Sequence, residues 1–99
     1  MRIISVGTLK AFWEQPAHRD AEQPLRTWAK VVKAAHWAEP PAVKQMFGSA
    51  DILRDGRVVF DIGGNKYRLV VWVNYQYGVV YVRFIGTHRD YDRIDAQNV

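Results

Sequence analysis

Apolar residues recur along this chain with two different periods: up to Gly48 they fall mainly three and four residues apart, and beyond it they alternate. Arg2 to Ser5 reads as a short opening strand, after which Leu9, Phe12 and Trp13 recur at helical spacing behind Thr8, a candidate N-cap. Pro16 ends that helix. Asp20 with Gln23 three residues later resembles a capping box, and Pro24 falls in a first turn, where its missing N–H costs little. Leu25, Trp28, Ala29, Val32 and Ala35 trace the apolar stripe of a second, longer helix that ends near Trp37. Glu39-Pro40-Pro41 breaks the chain, and Val43, Met46 and Phe47 ahead of Gly48 predict one or two further helical turns.

The alternating half predicts a β-meander. Asp55-Gly56 joins Ile52–Arg54 to Arg57–Asp61, because Asp-Gly supplies the positive φ angles of a type I′ hairpin turn. A two-residue turn at Gly63-Gly64 and a four-residue turn at Tyr75–Gly78 then bound the strands Lys66–Asn74 and Val79–Gly86. Side chains alternate across a strand and opposed residues share a face, so these turns fix a map. Asp61 is expected opposite Lys66, Val59 opposite Arg68 and Arg57 opposite Val70. Trp72 is expected opposite Tyr81, Val70 opposite Arg83, Arg68 opposite Ile85 and Lys66 opposite Thr87.

One face of that sheet is then Val58, Phe60, Tyr67, Leu69, Val71, Val73, Val80, Val82 and Phe84, which belongs under the helices. The other gathers Arg57, Asp61, Lys66, Arg68, Trp72, Tyr81 and Arg83, and the strand runs out into His88, Arg89, Asp90, Tyr91 and Asp92. Arg68 and Arg83, as diagonal neighbours among apolar residues, would repel one another unless an anion or carboxylate joined them, and Asp61 is a candidate partner for Lys66.

Composition narrows the partners. The 99 residues suffice for one domain with one modest core, and the apolar and aromatic content is that of a folded chain. The absence of cysteine excludes disulfides, a thiolate nucleophile and a Cys-type zinc site, and fits a reducing compartment. With no apolar run of signal-peptide or membrane-span length, the expectation is a cytoplasmic protein. The net charge of +4 points to an anionic partner. Seven basic and five acidic residues precede Arg54 and the same numbers follow from it, so any basic patch must be made by folding.

Cations and aromatics on one open face suit single-stranded RNA, whose phosphates they neutralise and whose bases they stack. Trp72 and Tyr81 either fill space, line an interface or stack bases. The same residue types suit phosphodiester cleavage without a metal: a base takes the ribose 2′-OH proton, cations neutralise charge growing on phosphorus, and an acid protonates the departing 5′ oxygen. Lys66, His88 and Tyr91 are the candidate proton-transfer groups, and Arg68 and Arg83 the phosphate clamps. Against this stands the plainer reading of solvated strand residues and a surface histidine ending the last strand. Three scattered histidines without clustered carboxylates argue against a metal site, and no cofactor is expected. His18 and His36 read as structural.

The segments Arg57-Val-Val-Phe-Asp-Ile-Gly-Gly-Asn-Lys-Tyr-Arg-Leu69 and Val82-Arg-Phe-Ile-Gly-Thr-His-Arg-Asp-Tyr-Asp92 resemble the HigB toxins of bacterial type II toxin–antitoxin systems. Arg2-Ile-Ile-Ser, Phe12-Trp13 and Phe47–Asp51 extend the resemblance over nearly the whole chain. It implies an α+β, RelE-like fold of residues 1–99, with two N-terminal helices packed on a curved, mainly antiparallel sheet. It also implies an endoribonuclease that cuts mRNA on the translating ribosome until a HigA-type antitoxin neutralises it. Lys66, Arg68, Arg83, His88 and Tyr91 then stand as candidate catalytic residues, and Arg57, Asn65, Trp72, Tyr81 and Arg89 as candidate RNA-binding residues. Because the same fold includes ParE toxins that poison gyrase, the alternatives are a non-catalytic toxin gripping gyrase with this face and a basic RNA-binding module without toxicity.

Overall fold

A computed structural model describes residues 1–99. A first strand β1 (Arg2–Ile4) leads through Ser5, whose φ of 74° reverses the chain, into α1 (Val6–Trp13). A 3-10 segment, Pro16–Ala21, then runs into α2 (Glu22–Ala34). Ser5, not Thr8, occupies the N-cap of α1, and Asp20 caps no helix. After α3 (Pro40–Met46) the chain enters β2 (Asp51–Ile52), β3 (Arg57–Ile62), β4 (Tyr67–Asn74) and β5 (Val79–Thr87), and ends in a single helical turn α4 (His88–Tyr91) and a tail.

The five strands form one mixed sheet in the order β1-β5-β4-β3-β2, antiparallel except where β1 runs beside β5. The helical stripes read from the sequence pack onto it. Leu9, Phe12 and Trp13 of α1, and Leu25, Trp28 and Val32 of α2, are buried against Val58, Phe60, Leu69, Val71, Val73, Val80 and Val82. Burial of such side chains, roughly 1.5–3 kcal/mol each, is the main force holding the layers together. Asp55 and Gly56 both take positive φ, 56° and 81°, as the hairpin turn requires. A Cβ on Gly56 would lie 2.7 Å from the Val73 carbonyl oxygen, so glycine also lets the turn tuck against β4. No helix is long and apolar enough to cross a membrane.

The register departs from the expected map in two places. Gly63 to Lys66 form a four-residue connection, not a two-residue one, so Ile62 opposes Tyr67, Asp61 opposes Arg68, Val59 opposes Val70 and Arg57 opposes Trp72. The slip is two residues, so every side chain keeps its face while its partner changes. Trp72 does oppose Tyr81, but the β4–β5 register then shifts at Val70/Val71. Arg83 is the extra residue of this bulge. Val70 therefore opposes Phe84, Leu69 opposes Ile85, Arg68 opposes Gly86 and Tyr67 opposes Thr87. The bulge reverses the alternation beyond it: Ile85 turns to the helix side, and Phe84, expected in the main core, lies on the opposite face.

That opposite face is not open throughout. Val59 and Val70 are covered by Ala96, with Leu53, Phe84, Tyr91, Ile94 and Val99 around them, so the tail makes a small second core on the side expected to be solvated. Gln97 anchors the tail to the β2–β3 turn: its side chain accepts from the Arg54 amide at 3.0 Å and donates to the Arg54 carbonyl at 2.7 Å.

Candidate active site

The tail divides the charged face into two groups. At one end of β4, Arg68, His88 and Tyr91 lie around the start of α4, with the Lys66 backbone beside them and its ammonium turned to Asp20. Thr87 caps that turn, its hydroxyl accepting from the Asp90 amide while the Asp90 carboxylate accepts from the Thr87 amide. These bonds hold the Asp90 carboxyl below its ordinary range. The His88 amide donates to the Lys66 carbonyl at 3.3 Å, which ties α4 to the β3–β4 connection. Gly86 makes room for the turn: a Cβ there would lie 2.6 Å from the Phe84 ring and 3.1 Å from Cβ of Asp90.

His88 and Tyr91 are three residues apart on this turn and so are neighbours on its surface. His88 is exposed, with Nδ1 3.4 Å from the Asp92 carboxylate. Tyr91 is half-buried, and burial, reinforced by the charge of Asp51, pushes its phenol above the usual value. The guanidinium of Arg68 lies 5.9 Å from the Tyr91 ring centre.

Arg68 has the carboxylate partner that its position demands, but the partner is Asp61, at 3.0 Å. The Arg68 side chain is 12% exposed and that of Asp61 26%, so this is a partly desolvated pair. Lys66 instead reaches the carboxylate of Asp20, on the 3-10 segment, which also accepts from the Tyr67 hydroxyl. The Lys66 bond lowers Asp20, the Tyr67 bond adds to it, and Asp20 in turn raises the Lys66 ammonium. Desolvation raises Tyr67, with Asp20 contributing. Asp20 had a local signal, but for a cap. His18 packs nearby, stacked on Phe12 at 4.2 Å with its Nδ1 buried and unpartnered, which agrees with a structural role for the ring.

The second group lies toward the other end of β4. Arg57, Trp72 and Arg83 line a cavity of 190 Å³, and the Trp72 and Tyr81 rings lie 5.1 Å apart. Trp72 donates its indole N–H to the Asp55 carbonyl at 2.7 Å, so the ring is fixed. Arg57 donates to the Val99 carbonyl through Nε and Nη2 at 3.3 and 3.1 Å, and Arg83 through Nε at 3.4 Å. The expected clustering of Lys66, Arg68 and Arg83 is therefore not realised, because the bulge carries Arg83 to Arg57 and Trp72. Asn65 and Arg89 are exposed beside the first group, on the β3–β4 connection and on α4.

Comparison with known proteins bears on this arrangement. The sequence pattern of the HigB toxin family, described as the RelE-like toxic component of a toxin–antitoxin system, matches residues 21–94. The chain belongs to the HigB toxin family. The HigB match runs from α2 through the start of the tail, and so includes both groups on the charged face. The mRNA interferase toxin HigB of Escherichia coli (strain K12) is 30% identical over 99 residues, covering 97% of this chain and 92% of that protein. The mRNA interferase HigB of Shigella flexneri matches to the same degree, and that of Escherichia coli O6:H1 is 28% identical over 98 residues. The α+β architecture with its mixed sheet is that of a RelE-like HigB toxin, and membership implies an antitoxin partner.

Proposed function

We propose that this chain is an mRNA interferase: a single RelE-like domain that works on the ribosome in the cytoplasm, cleaves mRNA without a metal and is neutralised by a HigA-type antitoxin. The observation that supports the reading is the Arg68 guanidinium beside the Tyr91 ring, with His88 on the same helical turn and its amide bound to the Lys66 carbonyl where β4 begins. The activity in the relatives' names, mRNA interferase, agrees with it.

The chemistry follows from the surroundings of each group. Tyr91, raised by burial, keeps its proton and suits the acid that protonates the departing 5′ oxygen. His88, with Asp92 beside Nδ1, has Nε2 free to take the ribose 2′-OH proton. Lys66, kept protonated by Asp20, and Arg68, oriented by Asp61, supply positive charge for the phosphorane. A metal is not needed for this route, and no three His, Asp or Glu side chains converge with ligand spacing. Arg57, Trp72, Tyr81 and Arg83 then carry the RNA strand beyond the scissile bond, with Asn65 and Arg89 at the rim.

The chemistry of the cut ends tests it. Transesterification through the 2′-OH leaves a 2′,3′-cyclic phosphate and a 5′-hydroxyl on a ribosome-bound reporter mRNA. Ends bearing a 3′-hydroxyl and a 5′-phosphate would sink the metal-independent route.

A further inference from the structure

The largest cavity of the protein, 610 Å³, lies away from the His88 end, where the end of α2 meets β1 and the β4–β5 turn. Arg2, Lys33, His36, Trp37, Tyr75 and Tyr77 are among its lining residues. Strand β4 runs eight residues, from Tyr67 to Asn74, which separates this cavity from the His88 group by about 23 Å. One phosphate cannot serve both.

Two features give the cavity its chemistry. Its lining holds no carboxylate, and Arg2, Lys33 and His36 make no ion pair anywhere in the protein. The negative pole of α2 that would oppose an anion here is already met by the Met1 amino group, which donates to the carbonyls of Val32, Lys33 and Ala35 at 3.1, 3.3 and 2.6 Å.

Tyr77 adds a stacking surface. It is 73% exposed, and its amide donates to the Asn74 side chain at 3.1 Å, which fixes the turn that presents the ring. We propose that this cavity is a second RNA-binding site, taking a backbone phosphate between Arg2 and Lys33 and an unpaired base on Tyr77. An RNA strand fits better than an acidic peptide. Phosphates bring acceptors alone to a lining of cations and N–H and O–H groups, whereas a peptide also brings N–H donors, for which Gln76 is the only side-chain amide present. Stacking and phosphate contact together are how single strands are held. The site extends the RNA reading of the previous section, and depends on it for the identity of the strand.

The test is the doubly substituted protein Lys33→Ala, Tyr77→Ala, both positions being exposed and remote from His88. Fluorescence anisotropy with a labelled single-stranded oligoribonucleotide, and sedimentation with ribosomes, are each run across a salt series. The proposal expects binding to weaken about tenfold and the dependence on log salt to become shallower by about 0.7 for the lost phosphate contact. Loss toward the oligonucleotide assigns the site to the message, and loss toward ribosomes alone assigns it to ribosomal RNA; either supports the proposal. Unchanged binding to both overturns it. So does a glutamate-rich peptide that binds the parent protein and not the variant while RNA binding is retained, since the cavity would then dock a protein. Wild-type protein that cuts no ribosome-bound mRNA would defeat the proposed activity, yet leave these binding curves to decide the site.

Discussion

Asp61 and Arg68 stand opposite one another on β3 and β4, and their charged groups pair at 3.0 Å. Neither side chain is more than about a quarter exposed. Removing the carboxylate leaves a guanidinium largely out of water with only the Asn65 carbonyl, at 3.4 Å, near it. Asp61→Ala is therefore expected to lower stability by about 1–3 kcal/mol, seen as a lower urea midpoint at unchanged m. A midpoint within error of wild type would mean that the pair is solvated in practice.

Gly86 bears more on activity than on stability. An added methyl group must displace Phe84 or α4, and α4 carries His88 and Tyr91. Gly86→Ala is expected to lower cleavage about 100-fold, the scale of a misplacement of about 1 Å, while most of the fold survives. The cleavage rate and the far-UV circular dichroism of the variant separate the two effects.

The Asp20 carboxyl is lowered first by the Lys66 bond and then by Tyr67. A lowered carboxyl stabilises the folded state above its unfolded pKa of about 4, and that contribution disappears as pH falls through the folded value. Asp20→Asn should accordingly melt below wild type near neutrality and converge with it toward pH 2. Parallel melting curves from pH 7 to 2 would contradict the bond.

Much of this was legible in the sequence where local rules decide. Alternation separated the two sheet faces correctly up to the bulge, Asp55-Gly56 marked its turn, and Trp72 fell opposite Tyr81 because the Tyr75–Gly78 turn was read at its true length. What was not legible depends on contacts distant along the chain. The bulge at Arg83 has no glycine or proline to mark it. Asp20 looked like a cap because its true partners lie 46 and 47 residues away. Ile94, Ala96 and Val99 are too few and too irregularly spaced to signal that the tail covers Val59 and Val70.

The tail itself is open to test. Gln97 makes both of its side-chain bonds to Arg54, and the tail contributes little area beyond Ala96 and its neighbours. Gln97→Ala should raise hydrogen exchange at the Arg54 amide while global stability falls by no more than about 1–2 kcal/mol. Exchange unchanged at Arg54 would place the anchor elsewhere.

The most direct measurement is the rate of mRNA cleavage on translating ribosomes by wild type, His88→Ala and Tyr91→Phe, with folding confirmed by thermal melting. Proton transfer by these two groups predicts a loss of about 100- to 10,000-fold for each, with His88→Ala and Tyr91→Phe melting close to wild type. Full cleavage by both variants, or wild-type protein that leaves the message intact on active ribosomes, would contradict it.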